Sequence, residues 1–233
     1  MTAHLWFVKL FQMLAGTKIQ LTLLKVIMSK FSGLLLFVFG LALSYQPLAT
    51  AQEKKQDSKS YYPLKTGNKW TYQIESDTAA KGSKLINQIA KIEKIDGVSL
   101  SRLETTAKGK VVASEHLSIT DKGIFRNRYN GIEVSPPICM LKFPIKKGST
   151  WKVESKVGEE KLSVSCKSDE EEIEVPAGKF KTVKVVMDAE VVGAGIIVST
   201  TYWFAQGVGV VKQHVNINSM QFSILLEKFE EEK

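Results

Sequence analysis

Two stretches of the chain share one pattern: Pro63–Trp70 reads PLKTGNKW, and Pro144–Trp151 reads PIKKGSTW. In both, proline fixes φ and ends a preceding strand. Glycine adopts a turn conformation that other residues resist, and tryptophan begins the next strand with a large apolar side chain. Each copy therefore predicts a tight turn that closes one end of a sheet. The residues with predicted structural roles are Pro63, Gly67, Trp70, Pro144, Gly148 and Trp151.

A looser pair of segments follows the two tryptophans at similar distances. Thr120–Arg126 reads TDKGIFR, and Phe204–Val210 reads FAQGVGV. The matching order predicts two related half-units, about residues 61–135 and 142–229, packed as one domain over 61–229. Ser135-Pro136-Pro137 is interpreted as a rigid connection between the half-units.

The rest of this region predicts an all-β protein. Short alternating or β-branched stretches recur between Gly, Asp and Asn, which is typical of antiparallel strands. Residues 84–94 would also suit a short helix. About eleven strands at this spacing predict a large curved antiparallel sheet, either a half-barrel, a closed barrel or a sandwich.

The first 51 residues predict export. After Met28 come a basic start, an apolar run over 33–43 and the small-residue site Ala49-Thr50-Ala51, which together are typical of a secretory signal peptide. We expect translation to start at Met28 and cleavage after Ala51; an uncleaved membrane anchor is the alternative. Residues 52–60 are polar and predict a disordered tether, and residues 230–233 form a charged tail.

The charge of the chain argues against nucleic acid as a partner. The formal net charge is +8, from 32 Lys+Arg and 24 Asp+Glu. Four of the lysines lie in residues 1–51, which contain no acid, so the remainder carries +4. Acids and bases alternate there, as in a mixed surface rather than a basic stripe.

Two cysteines, Cys139 and Cys166, lie in the exported part. An oxidising compartment would allow them to form a disulfide, which could contribute roughly 3 kcal/mol by closing the loop. Two buried free thiols are the alternative. Neither cysteine has a second Cys or a His at metal-ligand spacing, so no metal site is predicted.

The sequence contains no recognisable catalytic or cofactor motif, so neither an enzyme nor a cofactor is expected. His116 and His214 are the histidines of the exported part and are interpreted as solvated strand residues. Asp169–Glu172 is interpreted as a charged turn at the rim of the sheet. Gly207 and Gly209 are interpreted as part of a hairpin.

Three segments carry a resemblance to a known group of proteins: Tyr61–Trp70, Val175–Phe180 and Tyr202–Gly209. They resemble exported bacterial domains of unknown function with a curved antiparallel sheet. Such domains are similar in architecture to the periplasmic lipoprotein carriers, whose incompletely closed sheet holds acyl chains. The resemblance implies the fold of residues 61–229 more than an activity.

The aromatic group Tyr202, Trp203 and Phe204 is the candidate ligand-binding site. Alternation places Tyr202 and Phe204 on the face opposite Trp203, and we expect one face to be partly exposed or to line a cavity. The first functional hypothesis is therefore an exported noncatalytic protein that holds a lipid or another apolar or amphipathic ligand. The alternative is a structural or protein-interaction module of the cell envelope, either periplasmic or extracellular, with membrane contact only through an uncleaved leader.

Overall fold

The computed structural model describes residues 61–76, 82–217 and 220–233, and these form twelve β-strands. The predicted leader and tether, residues 1–60, lie outside the described residues. The strands are β1 Lys69–Glu75, β2 Lys84–Ile95, β3 Val98–Ala107, β4 Lys110–Thr120, β5 Gly123–Tyr129, β6 Ile132–Lys142, β7 Thr150–Val157, β8 Glu160–Val175, β9 Gly178–Val191, β10 Ile196–Ala205, β11 Gly209–Ile217 and β12 Met220–Glu230.

The strands form a closed antiparallel barrel in which each strand pairs with its neighbours in sequence. The first and last strands close the barrel, with Lys69 paired with Glu230 and Glu75 paired with Ser223. The prediction of an all-β fold with a large curved antiparallel sheet is thus confirmed, and the sheet closes completely. We call the end where β1 begins the proximal end.

Three segments differ from their predicted structure. Residues 84–94 are strand throughout, as part of β2. The predicted connection at Ser135-Pro136-Pro137 lies inside β6, a strand that the alternation did not show because two prolines interrupt it. Asp169–Glu172 lies inside β8, so its interpretation as a turn was wrong: the acids continue a long two-stranded hairpin with β9.

The two proline-to-tryptophan stretches form the same corner. In the first, the Asn68 amide donates to the Lys65 carbonyl, and the Gly67 amide donates to the Ile89 carbonyl of β2. The second repeats this geometry, with Ser149 donating to Lys146 and Gly148 donating to Ser168 of β8. Gly67 and Gly148 have φ of +94° and +75°, a left-handed conformation that favours glycine. Each corner thus turns the chain sharply into the strand that carries the tryptophan.

Residues 61–68 cross the proximal end of the barrel. The Tyr62 ring packs edge-on against Trp70, with centroids 5.4 Å apart, and lies 6.3 Å from the ring of Phe204. On the other side, Ser101 of β3 donates to the Leu64 carbonyl. Because this segment contacts both walls of the barrel, it closes the proximal end.

The interior of the barrel is filled by its own side chains. The Arg126 guanidinium of β5 donates to the Tyr202 hydroxyl of β10, 3.1 Å away across the barrel. Strands β6 and β9 are separated by two strands in the sheet, yet have Cα atoms within 8 Å of each other. The barrel is therefore folded inward at β6, and its two walls pack into a single core.

The two corner tryptophans should differ in their contribution to stability. Trp70 is fully buried, whereas Trp151 is half-buried. Replacing Trp70 by alanine should lower the free energy of unfolding by about 3–5 kcal/mol, the range for a large buried side chain. Trp151→Ala should cost clearly less, because part of its ring remains in water. Urea unfolding followed by circular dichroism measures both; equal losses would show that exposure does not decide the difference.

Candidate functional site

The sheet hydrogen bonding is interrupted between β6 and β7. Only two residue pairs join these strands, Val134 with Val157 and Ser135 with Lys156. Beyond them come Pro136 and Pro137, which have no amide hydrogen to donate. Residues 138–142 pair with β5 alone, and residues 150–155 pair with β8 alone. We call this interruption, between residues 136–142 and 150–155, the seam.

Side chains of β7 replace part of the missing backbone pairing. The Trp151 indole N–H donates to the Cys139 carbonyl at 2.9 Å, and the Ser155 hydroxyl donates to the Pro136 carbonyl at 2.7 Å. These bonds satisfy two backbone acceptors of β6 without a strand lying beside it. The seam is thus bridged by side chains rather than by a backbone ladder.

The charge around the seam is strongly basic. Residues 136–156 contain five lysines and a single acid, Glu154. Lys142, Lys152 and Lys156 are exposed and make no ion pair with the described residues. Lys147 forms an ion pair with the exposed Asp169, at 3.6 Å. The lysines therefore leave a field of positive charge over the interrupted sheet.

Both cysteines flank the seam, and both are free thiols in the structure. Of the two alternatives, a disulfide or two free thiols, the structure has the free thiols. The strands of the two cysteines lie on either side of β7, and the Cys166 Sγ lies 4.0 Å from the Cys139 carbonyl oxygen. Burial raises the pKa of Cys139 to about 11 and that of Cys166 to about 12, which keeps both thiols protonated and unreactive near neutral pH.

The predicted ligand-binding residues are all buried. Tyr202 is 4% exposed, Trp203 7% and Phe204 0%, so the first of the two predicted alternatives, a partly exposed face, was wrong. Tyr202 and Phe204 belong to the filled lumen, where Phe204 packs against Tyr62.

Trp203 lies on the outer face of the barrel and is held there by polar groups. Its indole N–H donates to a carboxylate oxygen of Glu171 at 3.0 Å, and the ammonium groups of Lys184 and Lys212 lie 5.6 and 4.8 Å from its ring centroid. The hydrogen bonds from Lys184 and then Trp203 lower the pKa of Glu171. We call this group the second clamp, because it joins the β8–β9 hairpin to β10.

His116 occupies the matching place in the first half of the chain. Its Nε2 donates to the Glu93 carboxylate of β2 at 2.7 Å, and its backbone pairs with Arg102 of β3 and Arg128 of β5. A bulge follows it on β4, as one follows Trp203 on β10. His116 is only 4% exposed, so its interpretation as a solvated residue was wrong. We call His116 and Glu93, which join β4 to the β2–β3 hairpin, the first clamp.

A charged cluster lies inside the barrel. Arg126 donates to Glu115 at 2.8 Å, and its guanidinium lies 5.7 Å from the ring centroid of Tyr129. Burial alone would lower the pKa of Arg126, but its electrostatic interactions and hydrogen bonds with Glu115 and Tyr202 together outweigh burial and hold that pKa above its usual range. Burial raises the pKa of Tyr129 and of Tyr202, so both stay protonated as hydrogen-bonding groups. Through the hydrogen bond from Arg126 to Tyr202, the cluster joins β5 to β10 across the barrel.

The described residues hold no group of three His, Cys, Asp or Glu side chains that could bind a metal ion. His214 contacts the Ser223 hydroxyl at 2.9 Å and has no acid as a recorded partner. The same described ranges contain no helix long and apolar enough to cross a membrane. Gly207 lies in the turn between β10 and β11 and Gly209 begins β11, so both belong to a hairpin as interpreted.

A shallow groove lies at the end of the barrel opposite residues 61–68. It has a volume of about 200 Å³, with Ile74 and Ala107 on its apolar floor and lysines on its rim. Pockets that enclose drug-sized ligands are larger, about 300–1,000 Å³. The groove is therefore too small to enclose an acyl chain.

Comparisons with known proteins find solved structures that are similar to this chain. No protein-family model matches the sequence, and no curated protein matches it. A predicted lipoprotein from Parabacteroides distasonis is 15% identical with a TM-score of 0.47, over 75% of this chain and 100% of that one. A predicted exported protein with a YmcC-like fold from Bacteroides fragilis is 16% identical with a TM-score of 0.48, over 73% and 99%.

The hypothetical lipoprotein YmcC from Escherichia coli is more distant. It is 10% identical with a TM-score of 0.34, over 76% of this chain and 90% of that one. Like the proteins that the sequence resembles, all three are described as exported or as lipoproteins, and none has a stated activity. We draw no functional conclusion from similarities at this level.

The internal ion pair should be stabilising only as a pair. Arg126→Met would leave the carboxylate of Glu115 largely buried without its partner, and should lower the free energy of unfolding by about 3 kcal/mol. Adding Glu115→Leu should restore most of that loss, since the unpaired charge is then removed. Urea unfolding of the two variants measures the difference. A double variant no more stable than the single one would show that the side chains act independently.

The first clamp should weaken in acid. The hydrogen bonds from His116 and then Lys91 lower the pKa of Glu93 to about 2, below its ordinary value of 4.5. Because the pKa is lower in the folded state, this contribution to stability is present above about pH 5 and is lost as the pH falls toward 2. The stability gap between wild type and Glu93→Gln, measured by urea unfolding, should therefore shrink over that window. A gap independent of pH would contradict the assignment.

Proposed function

We propose that this protein is an exported, noncatalytic module of the cell envelope that binds another protein through its outer surface. The observation that carries this proposal is the filled lumen. A carrier of lipids needs an apolar space open to its ligand, and here the lumenal side chains of opposite walls contact each other. The leader pattern of residues 1–51 supports export.

The position of the aromatic residues supports the same choice. Binding of an acyl chain on the curved sheet would require Tyr202 or Phe204 to line a cavity, yet both are in contact with other buried rings. Residues 61–68 close one end of the barrel, and the groove at the other end holds only about 200 Å³. Recognition is therefore assigned to the outside of the barrel.

The outer surface has features suited to a protein partner. Six large apolar side chains are at least 45% exposed. They lie near the hairpin ends of the barrel rather than on its lumenal side. The exposed residues are Ile92, Val98, Val111, Ile132, Val192 and Ile197.

The proposal is tested on the full chain, purified from the compartment to which it is exported. Native mass spectrometry should give the mass of the polypeptide alone, and organic extraction should release no stoichiometric lipid. Chemical crosslinking in intact cells should trap a complex with one defined protein. A lipid that remains bound to the purified protein and is released only on unfolding would overturn the proposal in favour of a lipid carrier.

The matched control is a variant with an altered lumen. Thr200→Trp would add bulk to a buried lumenal position while leaving the outer surface unchanged. If the variant folds, crosslinking to the partner should persist at the wild-type level. Loss of the complex in a folded variant would mean that the lumen, rather than the surface, is used for binding.

A further inference from the structure

The shallow groove at the end of the barrel opposite residues 61–68, which we call the distal groove, combines an apolar floor with a basic rim. Ile74 of β1 and Ala107 of β3 lie on its floor, and Lys108 and Lys110 of the β3–β4 hairpin stand at its rim. An apolar cavity of about 150 Å³ holds a benzene ring. With about 200 Å³, the distal groove therefore has room for one apolar side chain, although not for an acyl chain.

The rim of the distal groove carries positive charge that no acid among the described residues neutralises. Residues 105–114, which include the whole β3–β4 turn, contain two lysines and no acid. Lys108 and Lys110 are both exposed, and neither ammonium group forms an ion pair with the described residues. The third lysine of the rim, Lys84, is already paired with Glu227 at 2.8 Å. The charge offered to a ligand is therefore that of the β3–β4 hairpin.

The backbone of the β3–β4 turn fixes where these lysines lie. Ala107 pairs with Lys110, and the two residues between them, Lys108 and Gly109, have φ of +50° and +75°. Two successive residues with positive φ are typical of a tight two-residue hairpin turn. Val111 follows and is 56% exposed, so the same hairpin also presents an apolar side chain beside the rim. Apolar and basic groups thus come together on one rigid element.

We propose that the distal groove receives one apolar side chain of a partner protein, from a segment in which acidic residues flank that side chain. This inference rests on the proposed function and names its surface and the chemistry of the partner. Burial of the apolar side chain provides affinity. The carboxylates beside it lie against Lys108 and Lys110 and provide selectivity, because a basic segment would be repelled there. An apolar anchor held in a small pocket is a common form of binding hot spot.

The place of the distal groove in the fold leaves it free of the two ends of the described chain. Residues 1–60, which include the predicted leader and tether, join the described chain at the proximal end, where residues 61–68 cross the barrel. The C-terminal segment lies there too, because the Glu232 amide donates to the side-chain oxygen of Asn68 at 2.9 Å. A partner therefore reaches the distal groove without displacing either end.

The test uses the full chain and four probes. The first is a capped peptide with leucine at its centre, two acidic residues on each side and glycine at both ends. The second replaces the leucine by alanine, and the third replaces the acids by lysine. The fourth is hexanoate, an aliphatic carboxylate without a peptide. Titrations followed by two-dimensional NMR of the labelled protein give the affinities, and shifts of the amide signals of residues 83–84 and 107–112 give the location.

We expect the leucine peptide to shift the amide signals around the distal groove. Alanine in place of leucine should weaken binding about tenfold, because most of the apolar surface that the groove buries is then lost. Lysine in place of the acids should weaken binding by about tenfold or more, since the rim repels it.

Variants of the protein separate the two contributions. Lys108→Asp with Lys110→Glu reverses the charge of the rim, with an aspartate that tolerates the positive φ of residue 108, and should weaken binding of the leucine peptide about tenfold. Ala107→Leu fills the floor but keeps both lysines, so it should abolish the preference for leucine over alanine. The control Lys94→Glu with Lys122→Glu reverses exposed charges at the proximal end and should bind within about twofold of wild type.

Four results would overturn the inference. No binding of the leucine peptide, or equal binding of the leucine and alanine peptides, would show that the groove does not hold an apolar side chain. Equal losses in the rim and control variants would place the contact elsewhere. Hexanoate bound as tightly as the leucine peptide would identify a small amphipathic anion as the ligand. A dimer seen by light scattering that disappears on Ala107→Leu would identify the occupant as a second copy. These failures leave the proposed function standing, because a lipid carried by the purified protein, and not the peptide result, overturns that.

Discussion

The pairing of the first strand with the last is the constraint on which the architecture depends. β1 pairs with β12 along its whole length, and this single junction turns a twelve-stranded meander into a closed barrel. To reach β1, β12 leaves β11 after Leu225. The long β8–β9 hairpin then covers the outer side of that gap, with the Ala177 amide bonded to Leu226. Pairing of β12 with β1 thus ends its pairing with β11, and the β8–β9 hairpin bonds to β12 there.

The equivalent junction in the other half of the chain, between β6 and β7, has a different structure. β6 stays paired with β5 as far as Lys142, so it does not swing across to β7, and Pro136 and Pro137 remove donors from the edge that would have faced it. The corner that precedes β7 nevertheless has the same hydrogen bonds as the corner before β1. Two similar corners therefore lead to a junction closed by backbone pairing in one case and to a seam bridged by side chains in the other.

Much of the fold could be predicted because its decisive residues act locally. Gly67, Gly148 and the tryptophans that follow them define turns through their own backbone and side-chain chemistry, and alternation identifies most strands. β6 was missed because prolines usually exclude a sheet interior, and here they lie where the neighbouring strand is lost. The acids Asp169–Glu172 were interpreted as a turn because a run of charges is unusual in a barrel strand. They lie in β8, in the part that forms a long hairpin with β9, where a strand can carry charge.

The candidate site was harder to predict because its properties come from tertiary contacts. Alternation correctly separates Tyr202 from Trp203 but cannot show that the β8–β9 hairpin supplies Glu171 and Lys184 to cover the outer ring. In the same way His116 has no acid close in sequence on its own face, and Glu93 reaches it from another strand. The seam was also missed, because it too depends on how strands pair. The prolines that hide β6 from a pattern search lie where its backbone pairing with β7 stops, so the interruption of the sheet is also hard to recognise in the sequence.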